Sequence, residues 1–280
     1  YGTYSLLMLC YTAINIPYSA LSGVMTGDSQ QRTQLVSLRF IGGFSGGIVV
    51  TYLTPKLVVL LGQGDEALGW QLTMGLFGLA AALLFLCTFA STRERIQPVS
   101  SAPAPVWQDI RDLAGNKPWL VLFCLALIIM ITITMRASSA VYYFKYYLQQ
   151  PQLIGEFLSS YMLALALGAA STPVLTRFFD KKTQMMGLMG LAGVLSLALY
   201  FVPPDNISAV FALNLAIGFV LGPKSPLAFS MYADSADYNE WRTGRRATAM
   251  TFSAATFSQK LGGALASACI GWLLAFLGYV

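Results

Sequence analysis

The chain has 280 residues, 56% of them hydrophobic and 10% charged, with a formal net charge of +5. Soluble domains carry about 25% charged residues, and a soluble fold cannot hide this much apolar surface, because much of any folded surface faces water. Histidine is absent, which removes the commonest general base and metal ligand, and no Cys-x-x-Cys gathers Cys10, Cys87, Cys124 and Cys269 into a zinc or disulfide framework.

A bilayer-crossing helix needs roughly 20 mainly apolar residues. Eight segments qualify in chain order: 1–24, 34–61, 70–91, 119–147, 155–179, 185–202, 207–233 and 248–278. Each is longer than an ordinary strand, and their Gly and Ala content suits close helix packing in lipid. The chain starts without Met inside an apolar run and ends inside another, so it reads as a window of a longer polypeptide.

The connections alternate in charge. Those with Arg32; Arg93, Arg95, Arg111 and Lys117; Arg177, Lys181 and Lys182; and Arg242, Arg245 and Arg246 hold eleven of the seventeen Lys and Arg residues. The intervening connections 62–69, 149–154 and 203–206 hold none. Basic loops stay in the cytoplasm, so the first helix runs inward from outside. This distribution also accounts for the positive charge without nucleic acid as a partner. The longest connection, 92–118, carries Pro98, Pro103, Pro105 and Pro118 among polar residues and reads as a linker between two helical halves, 1–91 and 119–280. Its 106–113 stretch is predicted as a short amphipathic interfacial helix. The expected fold class is an all-α membrane bundle.

An internal echo runs through these halves. Asn15-Ile16-Pro17 is followed eleven residues past the proline by Asp28, and Lys224-Ser225-Pro226 by Asp237 at the same distance. Such an echo agrees with two related bundles around one central site.

Six cations lie outside the cytoplasmic connections. Lys56 and Lys145 sit near helix ends, where they can snorkel. Arg39, Arg136, Lys224 and Lys260 are deeper, and each costs about 2.5–3.5 kcal/mol at a bilayer centre. All twelve Asp and Glu residues fall in connections or at helix ends. The deep cations therefore require a watery chamber, an anionic substrate or carboxylates from elsewhere. Tyr4, Tyr11, Asn15 and Tyr18 share one helical face, and Ser253, Thr256 and Lys260 another. Aromatic rings with hydroxyls and amides suit a polyol, while plain aromatic packing is the competing reading. Asp234, Asp237, Glu240, Arg242, Arg245 and Arg246 form a mixed-charge loop, either simply solvated or a latch of weak ion pairs at the cytoplasmic gate.

Together these residues resemble the glycoside–pentoside–hexuronide:cation symporters, the melibiose permease-like branch of the major facilitator superfamily. Tyr4 and Tyr11-Thr12-x-x-Asn15-Ile16-Pro17-Tyr18, then Asp28 and Arg32, are similar to that family's fourth helix and following loop. Arg39 is similar to an arginine on its fifth helix. Asp234-x-x-Asp237-Tyr238-x-Glu240 with Gly244-x-Arg246 is similar to its signature between helices ten and eleven, and Lys260 to a lysine on helix eleven. The resemblance spans nearly the whole chain and implies helices four to eleven of twelve in a multi-pass plasma-membrane (bacterial inner-membrane) carrier.

It further implies sugar contact at Asn15 with Tyr11 and Arg39 beside it, a coupling-cation contact at Thr12, and Na+ or H+ as the coupling ion with no other cofactor. The candidate substrate set is Tyr11, Asn15, Tyr18, Arg39, Arg136, Lys224 and Lys260. The candidate gating set is Asp28, Arg32, Asp234, Asp237, Glu240, Arg242, Arg245 and Arg246. There are two departures: melibiose permease has Asp where Asn15 stands and Trp where Ser19 and Ser225 stand, which speaks against a plain galactoside, and the family's acidic residue after the Gly-x-Arg element is missing, since Ala247-Thr248 follow Arg246. The expectation is a monomeric sugar:cation symporter working by alternating access, with a hexuronide or sulfonated hexose as the sharper substrate class. The alternatives are a lysophospholipid or other amphiphile carrier of the same fold and, more remotely, a membrane-embedded enzyme.

Overall fold

The computed structural model describes residues 2–92, 106–244, 248–276 and 278, all helical or in short connections. Ten α-helices follow one another: α1 Gly2–Val24, α2 Ser29–Gly62, α3 Glu66–Ser91, α4 Val106–Ala114, α5 Lys117–Tyr142, α6 Ile154–Phe178, α7 Lys181–Tyr200, α8 Ile207–Leu221, α9 Lys224–Thr243 and α10 Thr248–Phe276. Among the described residues seven helical stretches are long and apolar enough to cross a membrane, from Ser29–Gly62 to Thr248–Phe276. The eighth expected span, α1, is a 23-residue helix outside those seven. The molecule is a multi-pass integral membrane protein.

Five helices start earlier than hydropathy alone places them or are fixed at their start by a polar cap. Asp28 accepts from Gln30 N at the start of α2, Asp65 from Ala67 N and Leu68 N at α3, and Asn116 from Trp119 N at α5. Asp180 accepts from Thr183 N at α7 and Asn206 from Ala209 N at α8. Each satisfies an amide that the first helical turn leaves without an internal partner. The Asp28 cap and the Gln63–Gly64 turn, both residues at positive φ, fix the two ends of α2. The 93–105 part of the linker lies outside the described residues, while its amphipathic stretch is the helix α4.

Two sequence expectations change. The seventh predicted span, 207–233, is broken at Gly222–Pro223, so that α9 begins inside the membrane-crossing stretch Ile207–Thr243. The supposed mixed-charge loop is mostly helix: α9 continues through Asp234, Asp237 and Glu240 to Thr243, where Gly244 closes it in the left-handed conformation at φ 70°. The i, i+3 spacing of those acids is a helical spacing. Arg245 and Arg246 lie outside the described residues.

Small residues set the helix crossings. A Cβ at Gly168 of α6 would stand 2.1 Å from the Phe219 carbonyl oxygen of α8, and one at Gly222 2.5 Å from Gly168 Cα. A Cβ at Gly262 of α10 would stand 2.5 Å from the Leu127 carbonyl oxygen of α5. Such contacts let backbones approach closely, the main route to helix association in lipid. One apolar cluster joins α5, α7, α9 and α10 around Leu227, Tyr232 and Phe252. A second, around Phe144, Phe157 and Val210, closes the opposite end of α5, α6 and α8. The helices α1 and α2 pack onto this group through α2 with α6 and α9 and α1 with α9 and α10. Outward faces carry exposed Leu79, Phe89 and Phe276, as lipid contact requires.

Gly168→Ala should destabilise the purified protein in detergent by about 1–3 kcal/mol through overpacking. Gly187→Ala, where a methyl group meets open space on α7, should leave the thermal melt unchanged or raise it. Equal melts for both variants would refute the tight α6–α8 crossing.

Candidate functional site

Polar chemistry concentrates at two levels, one near the cytoplasmic end and one halfway along the helices. At the first, Arg32 of α2 is buried with 1% of its side chain exposed and donates from one guanidinium nitrogen to Asp234 Oδ1 and Asp237 Oδ2, both at 2.9 Å. Its other terminal nitrogen donates to the Thr26 carbonyl at 3.2 Å. Lys181 at the start of α7 donates to Asp234 Oδ2 at 2.5 Å, to Ser230 Oγ at 2.7 Å and to Ser29 Oγ at 2.6 Å. Thr33 of α2 and Ser230 of α9 share a buried hydroxyl–hydroxyl bond of 2.9 Å. This latch joins α2 to α7 and α9 across the seam between the two helical groups. The two aspartates are 35% and 39% exposed, so the pairs fall between the surface value of about 0–1 kcal/mol and the buried value of about 3–5 kcal/mol.

The sequence placed the right acids in this latch but not all its members, and it took the pairs to be solvent-exposed. Asp28 does not join the latch but caps α2, accepting from Gln30 N at 2.9 Å. Arg242 instead donates to the Asp112 carbonyl at 2.9 Å and to the Gly115 carbonyl, tying α9 to the end of the amphipathic helix α4. Lys181, Ser29 and Ser230 escaped sequence reading because a loop lysine and two serines carry no pattern of their own.

Halfway along the helices lie two adjoining chambers. The first, about 230 Å³, is lined from α1 and α2 by Tyr11, Asn15 and Arg39 and from α9 and α10 by Lys224, Ser225, Tyr232 and Gln259. Arg39 donates to Asn15 Oδ1 at 3.2 Å and to Ser19 Oγ at 2.9 Å, and its guanidinium lies 4.4 Å from the Tyr18 ring centre and 5.2 Å from that of Phe229. Its second terminal nitrogen is buried without a hydrogen-bond partner. The second chamber, about 410 Å³, lies among α5, α6, α7 and the α8–α9 break and includes Arg136, Tyr161, Ser196 and Lys224. Arg136 donates to Asn214 Oδ1 at 3.0 Å and faces the Tyr161 ring at 5.3 Å. Lys224, 3% exposed, lines both chambers, as do Ile129 and Ile133.

A chamber midway along the helices and walled by both helical groups is where many transporters of repeat architecture place their site. The family model described as "MFS/sugar transport protein" matches residues 1–280. The chain belongs to that family. The inner membrane symporter YicJ of Escherichia coli (strain K12) is 34% identical over 277 residues, covering 99% of this chain and 60% of the relative. The isoprimeverose transporter of Lactiplantibacillus pentosus is 31% identical over 289 residues, covering 100% and 59%. The glucuronide carrier protein homolog of Escherichia coli (strain K12) is 28% identical over 294 residues, covering 100% and 61%. The chain thus spans about 60% of the length of these relatives. The resemblance read from the sequence stands, and the chain is an integral protein of the plasma membrane.

Within this MFS sugar-transport fold the seven substrate candidates divide. Tyr11, Asn15, Arg39 and Lys224 share the first chamber, and Arg136 joins Lys224 in the second. Tyr18 stacks behind Arg39 and lines a separate pocket with Leu21 and Ser22. Lys260 lines neither chamber: it is exposed and donates to Thr12 Oγ1, with its ammonium 5.8 Å from the Tyr11 ring centre. The four deep cations therefore do not surround one space, because spacing along a helix fixes depth but not which neighbour a long side chain meets. Thr12 itself donates to the Met8 carbonyl at 2.7 Å, so the lone pairs assigned by resemblance to a coupling cation face the Lys260 ammonium. The echo also fails in detail: α1 runs unbroken through Asn15 and Pro17, whereas Lys224 follows a helix break. The sequence reading missed Asn214, a mid-span amide that is fully buried, donates to the Phe157 carbonyl at 2.9 Å and orients Arg136.

Lys224 makes no hydrogen bond or ion pair among the described residues, so nothing there offsets its desolvation cost. Lys224→Met should therefore raise the stability of the ligand-free protein by up to about 3 kcal/mol, read as a higher melting temperature in detergent. A lower melt would show that the ammonium is held by the fold itself.

Proposed function

We propose that this chain forms the central part of a sugar:cation symporter working by alternating access, with α1–α3 and α5–α10 as parts of two bundles that rock about the chamber between Arg39 and Lys224. The observation that carries the reading is that this chamber takes its walls from both groups, while the Arg32–Asp234–Asp237–Lys181 latch joins the same groups on the cytoplasmic side. A phenol at Tyr11, an amide at Asn15 and another at Gln259 supply the mixture of ring and hydrogen-bonding groups that holds a polyol. The midplane is lined by cations with no carboxylate among the lining residues, which favours a hexuronide or sulfonated hexose over a neutral glycoside. Relatives named as an isoprimeverose transporter and a glucuronide carrier homolog support a sugar as cargo.

The protein acts as a carrier and not as an enzyme, as a monomer in the bilayer and without nucleic acid. A Na+ or H+ gradient drives it, the incoming ion displacing the Lys260 ammonium from Thr12 Oγ1. Opening of the cytoplasmic side requires the latch to separate, and a latch of partly solvated pairs can do so repeatedly.

Cysteines at Thr33 and Ser230, whose hydroxyls lie 2.9 Å apart across the seam, test this directly. In vesicles under an imposed Na+ or H+ gradient, the transporter should accumulate methyl β-D-glucuronide. Oxidising Thr33→Cys/Ser230→Cys should abolish that uptake at least tenfold, and a thiol reductant should restore it. Undiminished uptake by the cross-linked protein would reject alternating access through this seam. Absence of gradient-driven uptake by the native transporter for any glycoside would reject the symport reading.

A further inference from the structure

The second chamber is larger than the first and faces away from α1 and α2, so its presence is not explained by a sugar ring held at Asn15 and Arg39. Its walls are mostly apolar, with Ile129, Ile133, Met189 and Leu221. Two cations stand in those walls. Arg136 is partly anchored, since it spends one N–H on the neutral Asn214 Oδ1 and rests against Tyr161, which fixes its direction without cancelling its charge. Lys224 is not anchored at all: 97% buried by its 3% exposure, it has no hydrogen-bonding or ionic partner among the described residues and lies on the wall common to both chambers.

The α8–α9 junction at Gly222–Pro223 sets the start of α9, and with it Lys224, beside this chamber. The break is fixed by packing, because Gly222 is pressed against Gly168 too closely for any side chain. Two charged groups in a low-dielectric setting with no acid among the lining residues leave a cost that an anion would offset.

We propose that Lys224 and Arg136 form an anion subsite beside the sugar chamber, which receives a carboxylate or sulfonate carried by the substrate while the sugar ring rests between Tyr11, Asn15 and Arg39. Lys224 is the boundary residue that reads both parts. The assignment rests on the carrier reading above, and it narrows that reading: acid selectivity resides in α5 and the start of α9, and neither Arg39 nor Lys260 supplies it.

Binding measured by calorimetry on the purified transporter in detergent tests the subsite independently of transport, using methyl β-D-glucuronide and the uncharged methyl β-D-glucoside. The native protein should bind the acid at least about tenfold more tightly than the neutral glycoside. That ratio should fall about tenfold or more in Arg136→Gln and in Lys224→Met, and should be kept in Arg136→Lys and Lys224→Arg. Replacing the glucuronide by methyl α-sulfoquinovoside shows which of the two acids the subsite prefers. A native ratio near one, no binding of either glycoside, or a ratio that survives both Arg136→Gln and Lys224→Met overturns the proposal. Preference in binding without gradient-driven uptake would remove the carrier reading and leave the subsite standing.

Discussion

A cation held within the thickness of a bilayer must meet water, a counter-charge or a ligand, and the midplane of this protein is organised around that constraint. None of Arg39, Arg136, Lys224 or Lys260 forms an ion pair among the described residues. Each is handled differently. Arg39 leans on neutral oxygens and aromatic faces, Arg136 on an amide and a phenol ring, and Lys260 on a threonine hydroxyl. Lys224 is left with space on both sides and nothing to hold. A fold selected for stability alone would replace such a lysine with an apolar residue, because an uncompensated buried charge is costly. Keeping it marks the place where binding energy is meant to appear.

The latch and the chambers are mechanically linked through α9. This helix carries Lys224 at its start and Asp234 and Asp237 some three turns later, so one helix joins the wall of both chambers to the acids that pair with Arg32. Arg242 near its end binds the carbonyls that terminate α4, which extends the same connection to the membrane surface. A shift of α9 on substrate binding would be felt at Arg32 without any intermediate contact having to repack.

Much of this was legible in the sequence. Hydropathy located the spans, basic connections gave their orientation, and the deep cations announced a polar interior. Errors followed the limits of each signal. Helices α2, α3 and α7 begin at polar caps that an apolar window passes over, although Asp28, Asp65 and Asp180 carry the capping signature plainly. The stretch from Asp234 to Thr243 read as a loop because its charges masked an i, i+3 helical register. Its acids are instead ordered by a buried arginine from another helix, a contact no local pattern encodes. The second chamber was illegible for a different reason. It is a void between side chains of five helices, and Ile129, Ile133 and Lys224 line both it and the first.

The residue at position 15 sets how open the Arg39 guanidinium is. Melibiose permease has a carboxylate there, and an aspartate within hydrogen-bond distance of Arg39 would pair with the guanidinium and neutralise it. Asn15 keeps the geometry, accepting from Arg39 through Oδ1 at 3.2 Å, but returns no charge. The guanidinium therefore stays electrostatically open, with one terminal nitrogen buried and unpartnered. The same substitution removes a negative charge that would repel an acidic substrate approaching Lys224 from the shared chamber. An amide in place of a carboxylate thus leaves the midplane cations Arg39, Arg136 and Lys224 without an acid among the lining residues, and a field of single sign is a filter on the charge of what enters it.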